Sequence, residues 1–300
     1  MSEAASIRVG FVGLGKMGTP MCRHIFAAGF DVTAYVRGDS GRAKAAALGV
    51  KSTDSLAEIA ALSDVVISSV TDDKAMLDIV TGLEGLAAHM KSGSTFIETS
   101  TVSPKASEQA AQLLAPIGIN YLRSPVSGST ATAEARQLTV LASGPRHCFD
   151  ASLPILRCFS AKQYLVGESE EARYLKLVLN TMVGAMSALV AEALAIGRSG
   201  GLDMATMLEV LNNSAVASPL IRYKTQMMTD DNYTAAFPVT GMMKDFDLAL
   251  AVAEGQEMLL PLLTLVRQSY QTAFVSGAGD KDFFVLVKQL ADAQLSRNGT

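Results

Sequence analysis

The stretch Ile7–Met21, IRVGFVGLGKMGTPM, sets Gly13, Gly15 and Gly18 in a GxGxxG spacing between an apolar run and an amphipathic one. Glycine is common and the pattern short, so the spacing alone discriminates poorly. Its surroundings decide the fold. IRVGFV reads as a buried strand and Met17–Ala28 as a helix closed by Gly29, the strand, turn and helix order that a dinucleotide fingerprint requires. Each glycine then has a mechanical task. Gly13 permits the tight turn, Gly15 lets the backbone approach a pyrophosphate, and Gly18 lets the helix pack on the strand, while the helix N-terminus supplies amide donors and positive potential. Leu14 and Met17, in the same loop, are expected to line the nucleotide. A plain structural glycine turn is the competing reading.

Outward from this loop, as far as residue 166, short β-rich runs alternate with helical patterns. DVTAYV, DVVISSV, STFIET and LTVLA read as further strands, and Ser103-Pro104 opens a helix that runs to Leu114. Such alternation with right-handed crossovers gives an α/β fold, a Rossmann doubly wound parallel sheet. After AKQYLVG the pattern turns helical: a long apolar helix from Ala172 to about Gly200, one capped by Asp203, others over Ile221–Met228 and Met242–Glu254, and a last one from Phe283. The expected organisation is a nucleotide-binding domain over residues 1–166 and an all-α domain over 167–300, joined through the long helix.

Composition excludes several classes. With 25 Lys and Arg against 29 Asp and Glu, dispersed along 300 residues, the chain lacks the basic stripe of a nucleic-acid binder. Cys22, Cys148 and Cys158 form no CxxC pair and are too few for a disulfide framework, so a reducing, cytoplasmic location is expected. The start MSEAASIRVGF shows no basic and then apolar leader pattern. LVLNTMVGAMSALVAEALAIG is interrupted by Asn180 and Glu192, which favours a buried helix over a membrane span. His24, His89 and His147 are isolated, so no metal site is expected.

The end of the second strand bears on the choice of nucleotide. Enzymes that use NAD commonly place an acid there to bind the ribose 2′-hydroxyl, whereas AYVRGDSGR places Arg37, which suits a 2′-phosphate, with Ser40 and Arg42 close by. NADP is therefore the expected cofactor. Asp39 keeps NAD as the alternative.

Five stretches together, GFVGLGKMGTPM, ETSTVSP, PVSGSTATAE, KLVLNTMVG and KDFDLALAVAE, resemble the β-hydroxyacid dehydrogenase family over essentially the whole chain. That family includes 3-hydroxyisobutyrate dehydrogenases, tartronate semialdehyde reductases and glyoxylate or succinic semialdehyde reductases. The resemblance implies hydride transfer between a nicotinamide and a small β-hydroxy acid or the corresponding aldehyde. It further implies Lys176 as general acid/base, Asn180 as the residue that orients the substrate, and Ser127 and Gly128 as carboxylate binders, with Ser129 where many relatives have another glycine. Lys244 would reach cofactor and substrate, and Asp245 would be structural or ion-paired.

The chemistry of these residue types agrees. Alcohol oxidation by a nicotinamide leaves a hydroxyl proton that a base must accept, and reduction needs the same group as an acid. Burial and a cationic nicotinamide both disfavour an ammonium ion, moving a lysine toward the working range. Asn180 lies four residues beyond Lys176 on the same helix face, and Gly184 continues that face, where it reads as room for a ligand. Val70, Thr71 and Thr101 follow strands at the end where a doubly wound sheet binds ligands, and are expected near the nicotinamide.

Three departures from the family pattern concern substrate. Arg123 replaces the usual acid before the substrate loop, GESEEARYLK is acidic and bulky where relatives are glycine-rich, and Val70-Thr71 replaces Leu-Pro. Arg123 either binds a second anionic group or pairs with an acid elsewhere. The alternative functions are imine reduction on the same scaffold and a non-catalytic dinucleotide-binding protein. Relatives also lead to the expectation of a homodimer or homotetramer built through the helical half.

Overall fold

A computed structural model describes residues 7–298. The reading of MSEAAS as free of a leader pattern lies outside the described residues. Among those residues, nine strands form one sheet: β1 (Arg8–Val12), β2 (Asp31–Tyr35), β3 (Lys51–Thr53), β4 (Val65–Ser68), β5 (Thr95–Glu98), β6 (Asn120–Arg123), β7 (Val126–Ser127), β8 (Leu138–Ser143) and β9 (Ser160–Gly167). Their order is β3-β2-β1-β4-β5-β6-β8-β7, with β9 also on β8.

The first six strands are parallel, and β8 runs antiparallel to β6 and β7 while pairing parallel with β9. The parallel sheet expected from the sequence is thus extended by a mixed edge. Parallel strands need covering on both faces, and successive side chains alternate between them. Phe11, Ile67, Ile97 and Leu122 enter one core, and their neighbours Val12, Val66, Phe96 and Tyr121 enter the other. Chain order reverses direction between β1 and β4, and at such a switch point the carboxyl ends of the strands leave a crevice.

Helix starts follow local hydrogen-bonding chemistry. Ser55, Asp72, Ser103, Asp203 and Ser218 each accept a hydrogen bond from a first-turn amide of the helix they precede. The chain divides into two compact units, Met1–Lys176 and Leu177–Thr300. The division falls within the helix Glu171–Ser199. The second unit contains the helices Met204–Asn212, Pro219–Thr229, Val239–Gly255, Pro261–Ala273 and Leu286–Asn298, the last preceded by a 3₁₀ turn over Phe283–Val285. Its core is formed by Leu177, Val190, Leu194, Met242, Phe246, Tyr270 and Phe284 with their neighbours.

Among the described residues, Glu171–Ser199 is long and apolar enough to cross a bilayer, but 39% of its apolar window is buried inside the protein. Leu177, Ala188, Val190, Ala191 and Leu194 of that helix belong to the core of the second unit.

Candidate active site

The glycine loop is a set of close backbone approaches. Gly13 has φ of +103°, and a Cβ there would lie 2.1 Å from the Ser69 carbonyl oxygen, so only glycine fits between β1 and the end of β4. A Cβ on Gly18 would lie 1.9 Å from the Gly13 carbonyl oxygen, which lets the helix Gly18–Ala27 start directly against the turn. Gly15 differs: a Cβ there would meet nothing within 4 Å. Its glycine serves no internal packing need, and the exposed backbone suits close approach by a phosphate. The loop therefore fits a dinucleotide. Leu14 is buried in the core and Met17 packs partly against the same core, while the Leu14 carbonyl accepts a hydrogen bond from Lys44 Nζ at 3.1 Å.

At the end of β2, Arg37 is exposed and precedes the helix Gly38–Leu48. Arg42 pairs with Asp39 at 2.9 Å and lies 3.6 Å from Asp54. The two readings for the second strand, Arg37 and Asp39, thus stand in different settings: the arginine is exposed and the aspartate already faces a cation.

The carboxyl ends of β4 and β5 are joined by hydrogen bonds. Val70 N–H donates to Ser100 Oγ at 2.7 Å, and Thr71 donates to Asp72, whose other oxygen caps the helix Asp73–Thr81. Thr101 follows Ser100, half-buried. Beyond β6, Ser127 pairs with Thr139 across β7 and β8, and Gly128 has φ of +145°. Ser129 caps the helix Thr130–Glu134, its hydroxyl accepting from Thr132 N–H while its own N–H donates to Thr132 Oγ1 at 2.7 Å. His24 is buried, its Nε2 within 3.1 Å of the Ala133 and Glu134 carbonyls, a structural setting.

Lys176 is 8% exposed, and Asn180 follows one helical turn later. Asn180 Nδ2 donates to Asp245 Oδ2, and Lys244 Nζ lies 3.0 Å from Asp245 Oδ1. Asp245 is therefore an ion-paired, buried acceptor. Gly184 corrects an expectation. A Cβ there would lie 2.5 Å from Phe246 and 2.7 Å from Met242, so its missing side chain admits the neighbouring helix Val239–Gly255 and not a ligand.

Arg123 pairs with Glu170, its Nε donating at 2.9 Å, and its guanidinium lies 4.4 Å from the centre of the Tyr121 ring. Of the two readings of this departure, pairing with an acid is the observed one, and it explains the acidic GESEE segment. The sequence reading missed a buried pair beside it: Glu98 and Arg173, 2.7 Å apart and 0% and 1% exposed. Its signal was a carboxylate directly after Phe96-Ile97, within the run STFIET. Burial raises the Tyr121 phenol above its ordinary range, with Arg173 opposing.

The model for the NAD binding domain of 6-phosphogluconate dehydrogenase matches residues 8–167, and that for the NAD-binding region of NADP-dependent 3-hydroxyisobutyrate dehydrogenase matches residues 171–290. Glyoxylate/succinic semialdehyde reductase 2 of Arabidopsis thaliana, a chloroplastic protein, is 30% identical over 97% of this chain and 82% of its own. A solved 3-hydroxyisobutyrate dehydrogenase from Salmonella typhimurium is 26% identical, with TM-score 0.85 over 94% of this chain and 99% of that one. Psf3, solved in complex with NADP+ and 2-OPP, is 25% identical with TM-score 0.85 over the same shares. Fold and glycine loop define a nicotinamide-dinucleotide oxidoreductase. The chain belongs to the β-hydroxyacid dehydrogenase family, of the 3-hydroxyisobutyrate dehydrogenase type.

Proposed function

We propose that this NAD(P)-dependent oxidoreductase is an NADP-linked reductase of small aldehyde acids, interconverting them with β-hydroxy acids, and that Lys176 is its general acid/base. The observation that carries this reading is Lys176 itself, a buried lysine one helical turn from Asn180, whose amide is held by Asp245. The bound cofactor supplies or accepts hydride. Reduction leaves an alkoxide that must gain a proton, and a buried ammonium delivers it without competition from water. Asn180, with Nδ2 engaged by Asp245, retains its carbonyl and a second N–H to orient the hydroxyl. The Ser127 hydroxyl and Gly128 amide bind the carboxylate, in a loop closed by the Ser129 cap, and Lys244 adds positive charge.

Gly13, Leu14, Gly15, Met17 and Gly18 form the nucleotide loop, and Val70, Thr71, Thr101 and Lys244 serve the nicotinamide half. Arg37 supports NADP because its exposed guanidinium suits a bidentate 2′-phosphate contact. Residues 1–166 act as the nucleotide domain and 167–300 as the substrate and oligomerisation domain. A homodimer or homotetramer is supported by Val178, Met182, Leu189 and Ile196, large apolar residues exposed on one helix. A cytoplasmic location is supported by the three free cysteines.

The test is nucleotide oxidation with NADPH and NADH separately, against glyoxylate, succinic semialdehyde and tartronate semialdehyde. NADPH-dependent turnover of at least one supports the reading. Tight NADPH binding with no turnover of any, and turnover of a cyclic imine, would replace it with the imine reductase alternative.

A further inference from the structure

One row of the sheet meets the start of the long helix. Ser68, Glu98, Arg123 and Ser143 are in register at the ends of β4, β5, β6 and β8. Three of the four hold residues 169–173. Ser143 Oγ donates to the Ser169 carbonyl at 2.6 Å and accepts from Ala172 N–H at 3.2 Å. Arg123 holds Glu170. Glu98 Oε2 lies 2.7 Å from Arg173 Nη1, and its Oε1 accepts from Ser100 N–H at 2.9 Å and Ser68 Oγ at 3.3 Å.

Every nitrogen of the Arg173 guanidinium is engaged. Nη1 donates to the Ser100 carbonyl at 3.0 Å, Nη2 to Tyr121 Oη at 2.9 Å and Nε to Ser107 Oγ at 3.1 Å. Two buried charges are an expensive way to hold a helix, since well-packed apolar residues stabilise as well or better. A guanidinium with three fixed acceptors and a paired carboxylate does something apolar packing does not: it fixes axial position and rotation. A slip of one residue turns an α-helix by about 100° and shifts it about 1.5 Å. Lys176 lies three residues beyond Arg173, the next turn on the same side of the helix. Ser100 also receives Val70 N–H, so the same cluster ties the strand ends that carry Val70, Thr71 and Thr101 to the turn that precedes Lys176.

We propose that Arg173 and Glu98 are positioning residues for the acid/base: the pair sets the register of the helix so that the Lys176 ammonium meets the reacting oxygen. This role rests on the reading of Lys176 given above. It also accounts for the bulky, charged approach to that lysine as a clamp, and not as a substrate-binding feature.

The test compares Arg173→Lys, Tyr121→Phe and the double variant Glu98→Gln/Arg173→Met with the parent enzyme and with Lys176→Met. The readouts are kcat, KM for the aldehyde acid, NADPH Kd by fluorescence, melting temperature, and hydrogen exchange over residues 169–176. Arg173→Lys keeps the charge but loses the fork, and lowers kcat about ten- to a hundredfold, since misplacement by about 1 Å costs up to about a hundredfold, with KM and Kd within about threefold of the parent. The double variant removes both charges and leaves no unpaired one, and shows reduced kcat with faster exchange over 169–176, while its melting temperature falls only by the loss of the donors to Ser100, Ser107 and Tyr121. Tyr121→Phe keeps the buried ring and the ion pair, and lowers kcat about threefold.

A double variant with parental kcat, or an Arg173→Lys variant altered only in melting temperature, would overturn the role. If the Arg173 variants do not fold, an unchanged kcat in Tyr121→Phe overturns it. Turnover retained by Lys176→Met brings down the acid/base reading instead, which is a separate result because it leaves the Arg173 comparisons intact.

Discussion

Asn180 and Asp245, 65 residues apart in the chain, meet through a hydrogen bond in which the amide Nδ2 donates to a carboxylate only 2% exposed. A carboxylate only accepts, so this contact fixes which way the Asn180 amide faces. Asp245→Asn lets the amide turn over and removes the carboxylate charge that lies 3.0 Å from Lys244 Nζ. The expected result is a loss of kcat/KM of about ten- to a hundredfold, the scale of one charge-assisted hydrogen bond. Steady-state kinetics on the purified variant checks it, and an unchanged kcat/KM would show that the orientation is immaterial.

The three loop glycines separate by what their Cβ would meet. Gly18→Ala drives a methyl group into the Gly13 carbonyl, and is expected to destabilise the fold by about 1–3 kcal/mol or more. Gly15→Ala meets nothing within 4 Å, and is expected to keep the parental melting temperature while NADPH affinity falls roughly tenfold or more, about 1.4 kcal/mol. Melting curves with and without NADPH distinguish the two. Parental NADPH affinity in Gly15→Ala would place the pyrophosphate elsewhere.

Arg37→Ala is expected to lower kcat/KM for NADPH by about ten- to a hundredfold, and for NADH by less than about twofold, since only the 2′-phosphate would lose its partner. An equal effect on both nucleotides would remove the basis for proposing NADP over NAD.

Arg8 and Asp64 join the start of β1 to the start of β4, with Nη2 to Oδ1 at 2.6 Å and Nε to Oδ2 at 3.1 Å. The Arg8 side chain holds the Asp64 carboxyl below the usual range, with burial opposing. A depressed folded-state value means that the stabilisation is complete above the unfolded carboxylate value, about pH 4, and is lost as pH falls through the folded one. The melting-temperature gap between the parent and Asp64→Asn is therefore expected to be constant near neutrality and to close in acid. A gap that persists at pH 2 would show that the contact acts through packing and not charge.

Much of this architecture is legible in sequence because local chemistry and tertiary structure agree. The glycine spacing follows an apolar strand, Ser103-Pro104 opens a helix, and Asp203 caps another, so each local preference coincides with the observed element. The less legible parts depend on partners distant in the chain. β6, NYLR, and the two-residue β7 lack an apolar signature, since the buried Arg123 is accommodated by partners distant from a strand pattern, Glu170 above all, with the Tyr121 ring beside it. The antiparallel pairing of β8 with β6 and β7 is likewise invisible to periodicity, which reports faces and not strand direction. Gly184 shows the converse limit. A missing side chain on a helix face signals close approach, and only the structure identifies the visitor as Phe246 and Met242.

In the proposed reaction Lys176 moves the proton. The most direct measurement is single-turnover oxidation of pre-bound NADPH by the best aldehyde acid, in the parent and in Lys176→Met, with nucleotide affinity measured on the same samples. Loss of turnover by about 10²- to 10⁴-fold, the range of a general acid, with NADPH binding retained, is the expected result. Turnover in Lys176→Met within about tenfold of the parent would contradict it and assign the proton to another group.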